Sequence, residues 1–251
     1  MREENPGVPV LALDGGNMMG QPGYSGDLRS RLLLQAAAES GYDAVNVGPL
    51  EASRWPNLPG LLGDRKVPWV SANVTFPSGG PILPPMKEFE FPGLKIAVVG
   101  LSEPDQPIAG IVFQPSLAAL QSALGALSDP AERVVVIGRV PVTRAALIAS
   151  SHPEILAVLS GYGVMESDAP LMFGSAVAAF PGEQGKNMID LRLALKGGMA
   201  TLLSYRLVPL DRSITGLPDW QSKMDETLKT VREAEFDFGA SETGEPSAPE
   251  H

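Results

Sequence analysis

Short apolar runs alternate with segments of helical periodicity over the first 160 residues, and this alternation constrains the fold more than any other feature. The runs expected to form buried strands span residues 8–13, 43–47, 67–74, 134–137 and 155–159. Helical spacing of leucine and alanine predicts helices over residues 28–40, 115–127 and 142–150, and a short helix interrupted by prolines is expected over 51–62. The alternation predicts an α/β domain with a mainly parallel sheet.

Strands without intervening helices are expected in two other parts of the chain. Residues 86–91 and 94–101 flank Pro92-Gly93, which is typical of a hairpin. After Gly174, further strands are expected at 176–180, 188–195 and 201–208, with turns at 182–185 and 197–198. These segments predict an antiparallel edge to the sheet or a second sheet.

Capping residues and composition indicate where the helices and the domain end. Asp27 precedes the first helical segment and is predicted to be its N-cap. Residues 218–238 carry apolar side chains at helical intervals, which predicts a helix with one side packed on the domain. We therefore expect one domain over residues 8–238, with a polar extension at 1–7 and a disordered tail at 239–251.

The composition excludes several classes of protein. The formal net charge is -10 and no basic stripe occurs, so a nucleic-acid partner is not expected and the protein is predicted to be acidic and soluble. The absence of cysteine excludes disulfides and thiolate metal sites. No apolar run reaches the roughly 20 residues that a membrane helix requires, so membrane insertion is not expected. The polar start also lacks the apolar stretch of a signal peptide.

Several blocks of the sequence, in their order, resemble the amino-terminal catalytic domain of 5′-nucleotidases and related calcineurin-like metallophosphoesterases. Residues 11–17 resemble the strand that ends in Gly-Asp in that family, and residues 41–48 resemble the strand that leads into its Gly-Asn-His-Glu motif. The later blocks that resemble family strands are 70–74, 93–101, 134–141, 155–164 and 180–195. The similarity covers roughly residues 8–212 and implies a four-layer αββα sandwich, although the family's first strand, with its Asp-x-His pair, has no counterpart before Val8.

The same resemblance implies a site for two divalent metals, which the family holds with a bridging aspartate, an asparagine and several histidines. Asn17 stands at the position of the bridging aspartate, and Glu51 is the one polar residue of the Gly-Asn-His-Glu motif that the sequence keeps. The other matching positions carry side chains that do not bind divalent ions in this way, namely Pro49, Leu50, Arg139, Tyr162 and Val164. The resemblance therefore predicts a degenerate site, and no bound metal or other cofactor is expected.

Other motifs that carry chemistry receive little support from the sequence. The two histidines fall on no matching position: His152 is expected to be a capping or surface residue, and His251 ends the chain. The segment 14–16 lacks the lysine of a P-loop and the glycine spacing of a dinucleotide site. No serine lies in a Gly-x-Ser-x-Gly elbow, so a serine hydrolase is not expected.

The leading interpretation of the sequence is a metallophosphoesterase-fold protein without catalytic activity, which serves as a binding or scaffold module. Its candidate site consists of Asp14, Asn17, Glu51, Arg139 and Tyr162 at the carboxyl ends of the predicted strands. A guanidinium binds phosphate and carboxylate groups well, so Arg139 either binds an anionic ligand or pairs with Glu51 or Asp14. The expected partner is a small anionic ligand or a protein.

The alternative is a metal-dependent phosphohydrolase that acts on nucleotides or related esters. Its ligands would come from Asp14, Glu51, Asp43 or Asp168, because carboxylates are the remaining oxygen donors. The resemblance also implies a periplasmic or extracellular location, since members of the family commonly work there.

Overall fold

The computed structural model describes residues 7–129, 133–163, 165–196 and 199–242. In chain order, the strands are β1 (Leu13–Asp14), β2 (Ala44–Asn46), β3 (Trp69–Val70), β4 (Val74–Thr75), β5 (Met86–Phe91), β6 (Leu94–Ser102), β7 (Val112–Phe113), β8 (Arg133–Arg139), β9 (Ile155–Ser160), β10 (Leu171–Phe173), β11 (Ala176–Ala179), β12 (Asn187–Lys196) and β13 (Met199–Pro209). The helices are α1 (Tyr24–Glu39), α2 (Pro49–Ser53), α3 (Leu58–Leu62), α4 (Ser116–Leu124), α5 (Val142–Ser151) and α6 (Pro218–Glu242). The expected turn at 197–198 and residues 1–6 and 243–251 of the expected terminal segments lie outside the described residues.

A six-stranded sheet with the order β10-β11-β9-β8-β6-β5 forms the centre of the domain. Its four inner strands are parallel, and β10 and β5 pair antiparallel at the two edges. The hairpin predicted around Pro92-Gly93 is confirmed as β5 and β6. Because side chains alternate along a strand, Val134 and Val136 face one side of this sheet while Val135 and Ile137 face the other.

Both faces of the six-stranded sheet are covered. On one face, Val134 and Val136 pack with Leu120 of α4 and Ile148 of α5 in one fully buried cluster. On the other face, Val135 and Ile137 share a second cluster with residues of two smaller sheets. One is the parallel sheet β1-β2-β3, and the other is the antiparallel pair β12-β13. The central sheet is therefore packed against helices on one side and against the smaller sheets on the other.

The outer layer on this second side consists of α1, α3 and α6. Leu34 of α1 packs with Leu58 and Leu61 of α3 in a cluster that Trp69 of β3 also joins. Helix α6 lies against α1 and buries Val231. The order helices, sheet, sheet, helices confirms the predicted four-layer αββα sandwich. None of the described helices is both long enough and apolar enough to cross a membrane.

Three boundaries differ from the prediction for identifiable physical reasons. Strand β1 begins at Leu13 rather than near residue 8, since the Ala12 N–H donates to the Asp43 carboxylate (2.7 Å) instead of to a ladder. The N-cap assignment of Asp27 is wrong: α1 begins at Tyr24, and Asp27 in its first turn pairs with the guanidinium of Arg54. Helix α6 continues to Glu242, so residues 239–242 belong to a helix.

Prolines interrupt the segment 51–62 as predicted. The segment is divided into α2, a 3-10 turn at Trp55–Asn57, and α3, each with a proline in its first turn. The predicted strand at 67–74 is likewise divided, into β3 and β4. In between, the Ser71 N–H donates to Pro84 O and the Ala72 N–H donates to Gly100 O. After β3, the chain therefore leaves the three-stranded sheet and forms hydrogen bonds with the segment before β5 and with β6 of the six-stranded sheet.

Candidate functional site

Loops from both sheets meet at the carboxyl ends of their parallel strands, which is where α/β domains commonly build sites. The loop after β1 is in close contact with the end of β8, since a Cβ added at Gly15 would lie 3.0 Å from Gly138 O. The Gly161 N–H donates to Gly138 O (3.0 Å), which joins the ends of β9 and β8. The buried Asn46 side chain donates to Gly15 O (3.0 Å) and to the Ser102 hydroxyl (2.8 Å), so it links β2 to the loop after β1 and to the end of β6.

Glu51 is fully buried in α2, and backbone amides hold both of its carboxylate oxygens. Its Oε2 accepts the N–H groups of Asn17 (2.7 Å) and Gly48 (2.9 Å), and its Oε1 accepts the N–H of Met19 (3.0 Å). Burial raises the pKa of Glu51, and these backbone donors act in the opposite direction. The side chain therefore fastens the loop after β1 to the N-terminus of α2.

Asn17, at the position of the bridging aspartate, caps the same helix. Its Oδ1 accepts the N–H of Leu50 (2.9 Å), and its backbone has a positive φ of 66°. Asparagine is among the residues that adopt this left-handed conformation most readily. Asn17 and Glu51 thus form a reciprocal pair. The Glu51 carboxylate accepts the Asn17 N–H, and the Asn17 side chain accepts the Leu50 N–H in the first turn of α2.

Asp14, at the end of β1, is held by a turn and by a phenol. Its Oδ1 accepts the Gly16 N–H (2.7 Å), and the Tyr42 side chain interacts with the same carboxylate. Burial raises the pKa of Asp14, while the Gly16 and Tyr42 contacts lower it. Burial and the neighbouring Asp14 charge together raise the pKa of Tyr42 to about 12.

Arg139 and Tyr162 are brought together on the six-stranded side of the site. The Arg139 guanidinium lies over the Tyr162 ring, 4.6 Å from its centroid. Both residues bind Asp105 of the loop after β6: Arg139 Nη2 donates to its Oδ2 (2.6 Å), and the Tyr162 hydroxyl donates to its Oδ1 (2.9 Å). Arg139 Nη1 also donates to Glu103 O (3.1 Å). The hydrogen bonds from Arg139 and Tyr162 lower the pKa of Asp105, and the bond to Asp105 raises the pKa of Tyr162.

Arg139 pairs with Asp105 in the described part of the chain, rather than with Glu51 or Asp14, which were the partners expected for it. The structure sorts the five predicted site residues into two groups, with Asp14, Asn17 and Glu51 around the loop after β1 and Arg139 and Tyr162 around Asp105. Val164, at the last matching position, lies outside the described residues.

Asp105 and Glu103 were missed by the sequence reasoning, although a signal for them exists. They follow β6 directly, a long and mostly buried strand of the six-stranded sheet, and polar residues after such a strand lie at its carboxyl edge. The Glu103 Oε1 accepts Arg144 Nε (2.8 Å) and the Ser116 hydroxyl, which fixes this segment on α4 and α5.

The remaining candidate residues lie elsewhere or are already bonded. Asp43 precedes β2, at the opposite end of that strand from Gly48, and its side chain accepts the Ala12 N–H. Asp168 is exposed in the loop between β9 and β10. His152 follows the last residue of α5, where its Nδ1 lies 3.5 Å from the Glu154 carboxylate, as expected of a residue at a helix end.

The side chains at this site are hydrogen-bonded to one another or to backbone groups. Among the described residues, no group of three or more His, Asp or Glu side chains is placed to hold a metal ion. At the family's ligand positions the structure has an amide that caps a helix, a guanidinium and a phenol, and the adjacent Glu51 carboxylate is surrounded by N–H donors.

Solved structures share this arrangement of layers. The sulfate thiohydrolase SoxB of Thermus thermophilus, in complex with glycerol, superposes with a TM-score of 0.77 over 89% of this chain at 22% identity. A 5′-nucleotidase precursor, also from Thermus thermophilus, gives 0.71 over 89% of the chain at 18% identity, and the calcineurin-like phosphoesterase YfkN of Bacillus subtilis gives 0.65 over 92% at 17% identity. The chain has a metallophosphoesterase-type fold.

The metallophosphoesterase-type domain corresponds to part of the larger proteins among these. It covers 43% of the SoxB chain and 50% of the nucleotidase precursor, whereas it covers 87% of YfkN. No protein-family model and no curated protein matches the chain. The similarity therefore establishes the fold alone.

Proposed function

We propose that this metallophosphoesterase-type domain works without the two-metal centre of that fold and serves as a non-catalytic binding or scaffold module. The observation that carries the proposal is the bonding of Asn17, the residue at the position of the bridging aspartate, because its Oδ1 accepts the Leu50 N–H (2.9 Å) and caps α2. A metal ligand must point a free oxygen at the ion, but both oxygens of Glu51 accept backbone N–H groups in a fully buried position. Turning this carboxylate toward a metal would leave three buried N–H donors without an acceptor.

The neighbouring side chains support the same conclusion. Asn17 is neutral and its carbonyl oxygen caps α2, so it neither neutralises nor bridges two dications. Asp14 is the nearest carboxylate along the chain, and it is held by the Gly16 N–H and by Tyr42. The guanidinium of Arg139 stands where the family has a ligand histidine, and it is paired with the Asp105 carboxylate. Asp14 and Glu51 are both held by other groups of the protein, and such carboxylates do not bind a divalent pair tightly.

Manganese binding and hydrolysis are the properties that test the proposal. We suggest titrating ¹⁵N-labelled protein with MnCl₂ and following paramagnetic broadening of the Gly15, Gly16 and Gly48 amide signals. Hydrolysis of p-nitrophenyl phosphate and of a nucleoside monophosphate is assayed at the same manganese concentrations, because solved structures with this fold include nucleotidases and phosphoesterases. The matched variant is Asp14→Asn, which keeps the acceptor for the Gly16 N–H but removes the charge.

We expect no broadening confined to these glycines and the same background hydrolysis in the wild type and in Asp14→Asn. Site-confined broadening with near-stoichiometric manganese, together with turnover that Asp14→Asn abolishes, would establish the alternative, a metal-dependent phosphohydrolase with atypical ligands. Substitution of Glu51 is not used here because it removes the acceptor of three buried N–H groups and so perturbs the fold.

A further inference from the structure

We propose that Arg139 and Tyr162 form a binding site for a small molecule that carries a carboxylate or phosphate group, and that this group takes the place of the Asp105 carboxylate when it binds. The inference rests on the proposed function, since it names the class of ligand that a metal-free site would take. Asp105 is then the internal counterpart of the ligand and competes with it.

The contacts of Asp105 show which chemistry the site selects. Its two oxygens are bound separately, one by Arg139 Nη2 (2.6 Å) and the other by the Tyr162 hydroxyl (2.9 Å). A ligand carboxylate or phosphate presents two oxygens with nearly the same spacing, so it can accept both hydrogen bonds at once. A neutral or cationic group cannot satisfy two donors of which one is a guanidinium.

Arg139 remains in position without Asp105. Its side chain is only 14% exposed, it lies over the Tyr162 ring, and its Nη1 is bound by the Glu103 backbone carbonyl (3.1 Å). Glu103 itself is fixed, because its N–H donates to Arg139 O (2.8 Å) and its side chain binds Arg144 and Ser116. A ligand therefore meets a guanidinium that is already oriented, which reduces the entropic cost of binding.

Asp105, by contrast, is easily displaced. Its side chain is 61% exposed, and it begins an exposed stretch of three residues, 105–107, in the loop between β6 and β7. Exposed ion pairs contribute little to stability, because water and salt compensate when they separate. Arg139 is largely buried, however, so without an anion its positive charge would have neither a partner nor full hydration. Exchange of the Asp105 carboxylate for a ligand anion is therefore more favourable than separation of Asp105 from Arg139 with no anion in its place.

Binding of phosphate and acetate, measured by NMR titration of protein that has been stripped of metal with EDTA and then dialysed free of it, tests the proposal. Chemical shifts of the Gly161 and Gly163 amides and of the Arg139 Nε–H report occupancy. The variants are Asp105→Ala, Arg139→Gln and Tyr162→Phe, and Asp64→Asn is the control for loss of one exposed carboxylate elsewhere. Tyr162→Phe keeps the ring under the guanidinium and removes only the hydroxyl, so it retains the fold if Arg139→Gln does not.

We expect weak binding by the wild type and about fivefold tighter binding by Asp105→Ala, the gain that loss of an exposed ion pair permits. Tyr162→Phe should weaken binding, Arg139→Gln should abolish it, and Asp64→Asn should bind as the wild type does. A preference for phosphate over acetate, or the reverse, identifies which group the ligand carries. Asp105→Ala that binds no tighter than the wild type, or Tyr162→Phe that binds equally well, refutes the site.

The two proposals fail in different ways. Anion binding that appears only when manganese is added would show that a metal carries the ligand, and the proposed function would be wrong. No anion binding in any variant, with no manganese bound either, would refute the anion site and leave the proposed function standing.

Discussion

Gly16 offers a sharp test of how closely the loop after β1 approaches the end of β2. Its φ is +80°, and an added Cβ would lie 2.3 Å from Asn46 O and 2.8 Å from Gly48 N. Both neighbours are backbone atoms, so neither can rotate away as a side chain would. Gly16→Ala therefore forces the backbone to move before the loop and the strand can keep their contact.

The cost can be divided into two parts with a matched control. Alanine at a left-handed φ costs about 1–2 kcal/mol, and overpacking of a filled contact adds about 1–3 kcal/mol. Gly41 also has a positive φ, +69°, but nothing lies within 4 Å of an added Cβ. Gly41→Ala should therefore lose about 1–2 kcal/mol, and Gly16→Ala about 2–5 kcal/mol.

Equilibrium urea unfolding, followed by far-UV circular dichroism, measures both variants. An unchanged m-value would show that stability, rather than the compactness of the unfolded state, has changed. The difference between the two variants isolates the steric contact, and we expect it to be about 1–3 kcal/mol. If the two lose the same stability within about 0.5 kcal/mol, then Gly16 does not approach the end of β2 as closely as described.

Three further predictions concern buried polar groups. Glu51→Ala should lose about 3–5 kcal/mol in the same urea assay, because three buried N–H groups lose their acceptor, whereas the exposed Glu90→Ala should lose less than about 0.5 kcal/mol. Asn73→Asp should lose at least about 2 kcal/mol at neutral pH, since an oxygen would replace the amide that donates to Ser102 O (2.6 Å) and Gln114 O (3.1 Å); Asn73→Asp as stable as the wild type would contradict those bonds. Tyrosinate absorbance should show one tyrosine that ionises near pH 12 and is missing in Tyr42→Phe. Because the folded pKa of Tyr42 is raised, its contribution to stability is complete below about pH 10 and is lost as the pH rises toward 12, a loss that Tyr42→Phe should not show.

The strands and helices of the fold could be predicted because they have periodic signals, whereas the four-layer arrangement was implied by the resemblance to metallophosphoesterases. Strand β6 is nearly continuous in apolar residues, and its hairpin with β5 turns at Pro92-Gly93, so both were predictable from local sequence. The start of α1 was not, because Asp27 is a good N-cap in isolation. Its pairing with the buried Arg54, 27 residues away, is a tertiary contact that no local rule contains.

The candidate site was predictable in part for the same reason. Glu51 was found because it matches a motif, but two of the backbone donors around it, Asn17 and Met19, lie 34 and 32 residues earlier and have no local signature. Arg139 was found because it stands at the position of a ligand histidine in the family that the sequence resembles, yet its partner Asp105 lies 34 residues earlier in a loop without periodicity. A sequence reveals which side chains reach the edge of a sheet; the contacts between them depend on how the loops fold.

The two halves of the site therefore differ in how easily a bound carboxylate side chain could be replaced by a ligand. Around Glu51, backbone amides supply the donors, and the carboxylate is fully buried, so replacing it with a ligand would disrupt the junction of β1 and α2. Around Arg139, side chains supply the donors, and the Asp105 carboxylate is mostly exposed, so replacement disturbs only a loop. We accordingly expect ligand binding at Arg139 and Tyr162, while Glu51 and Asn17 stabilise the junction of the loop after β1 with α2.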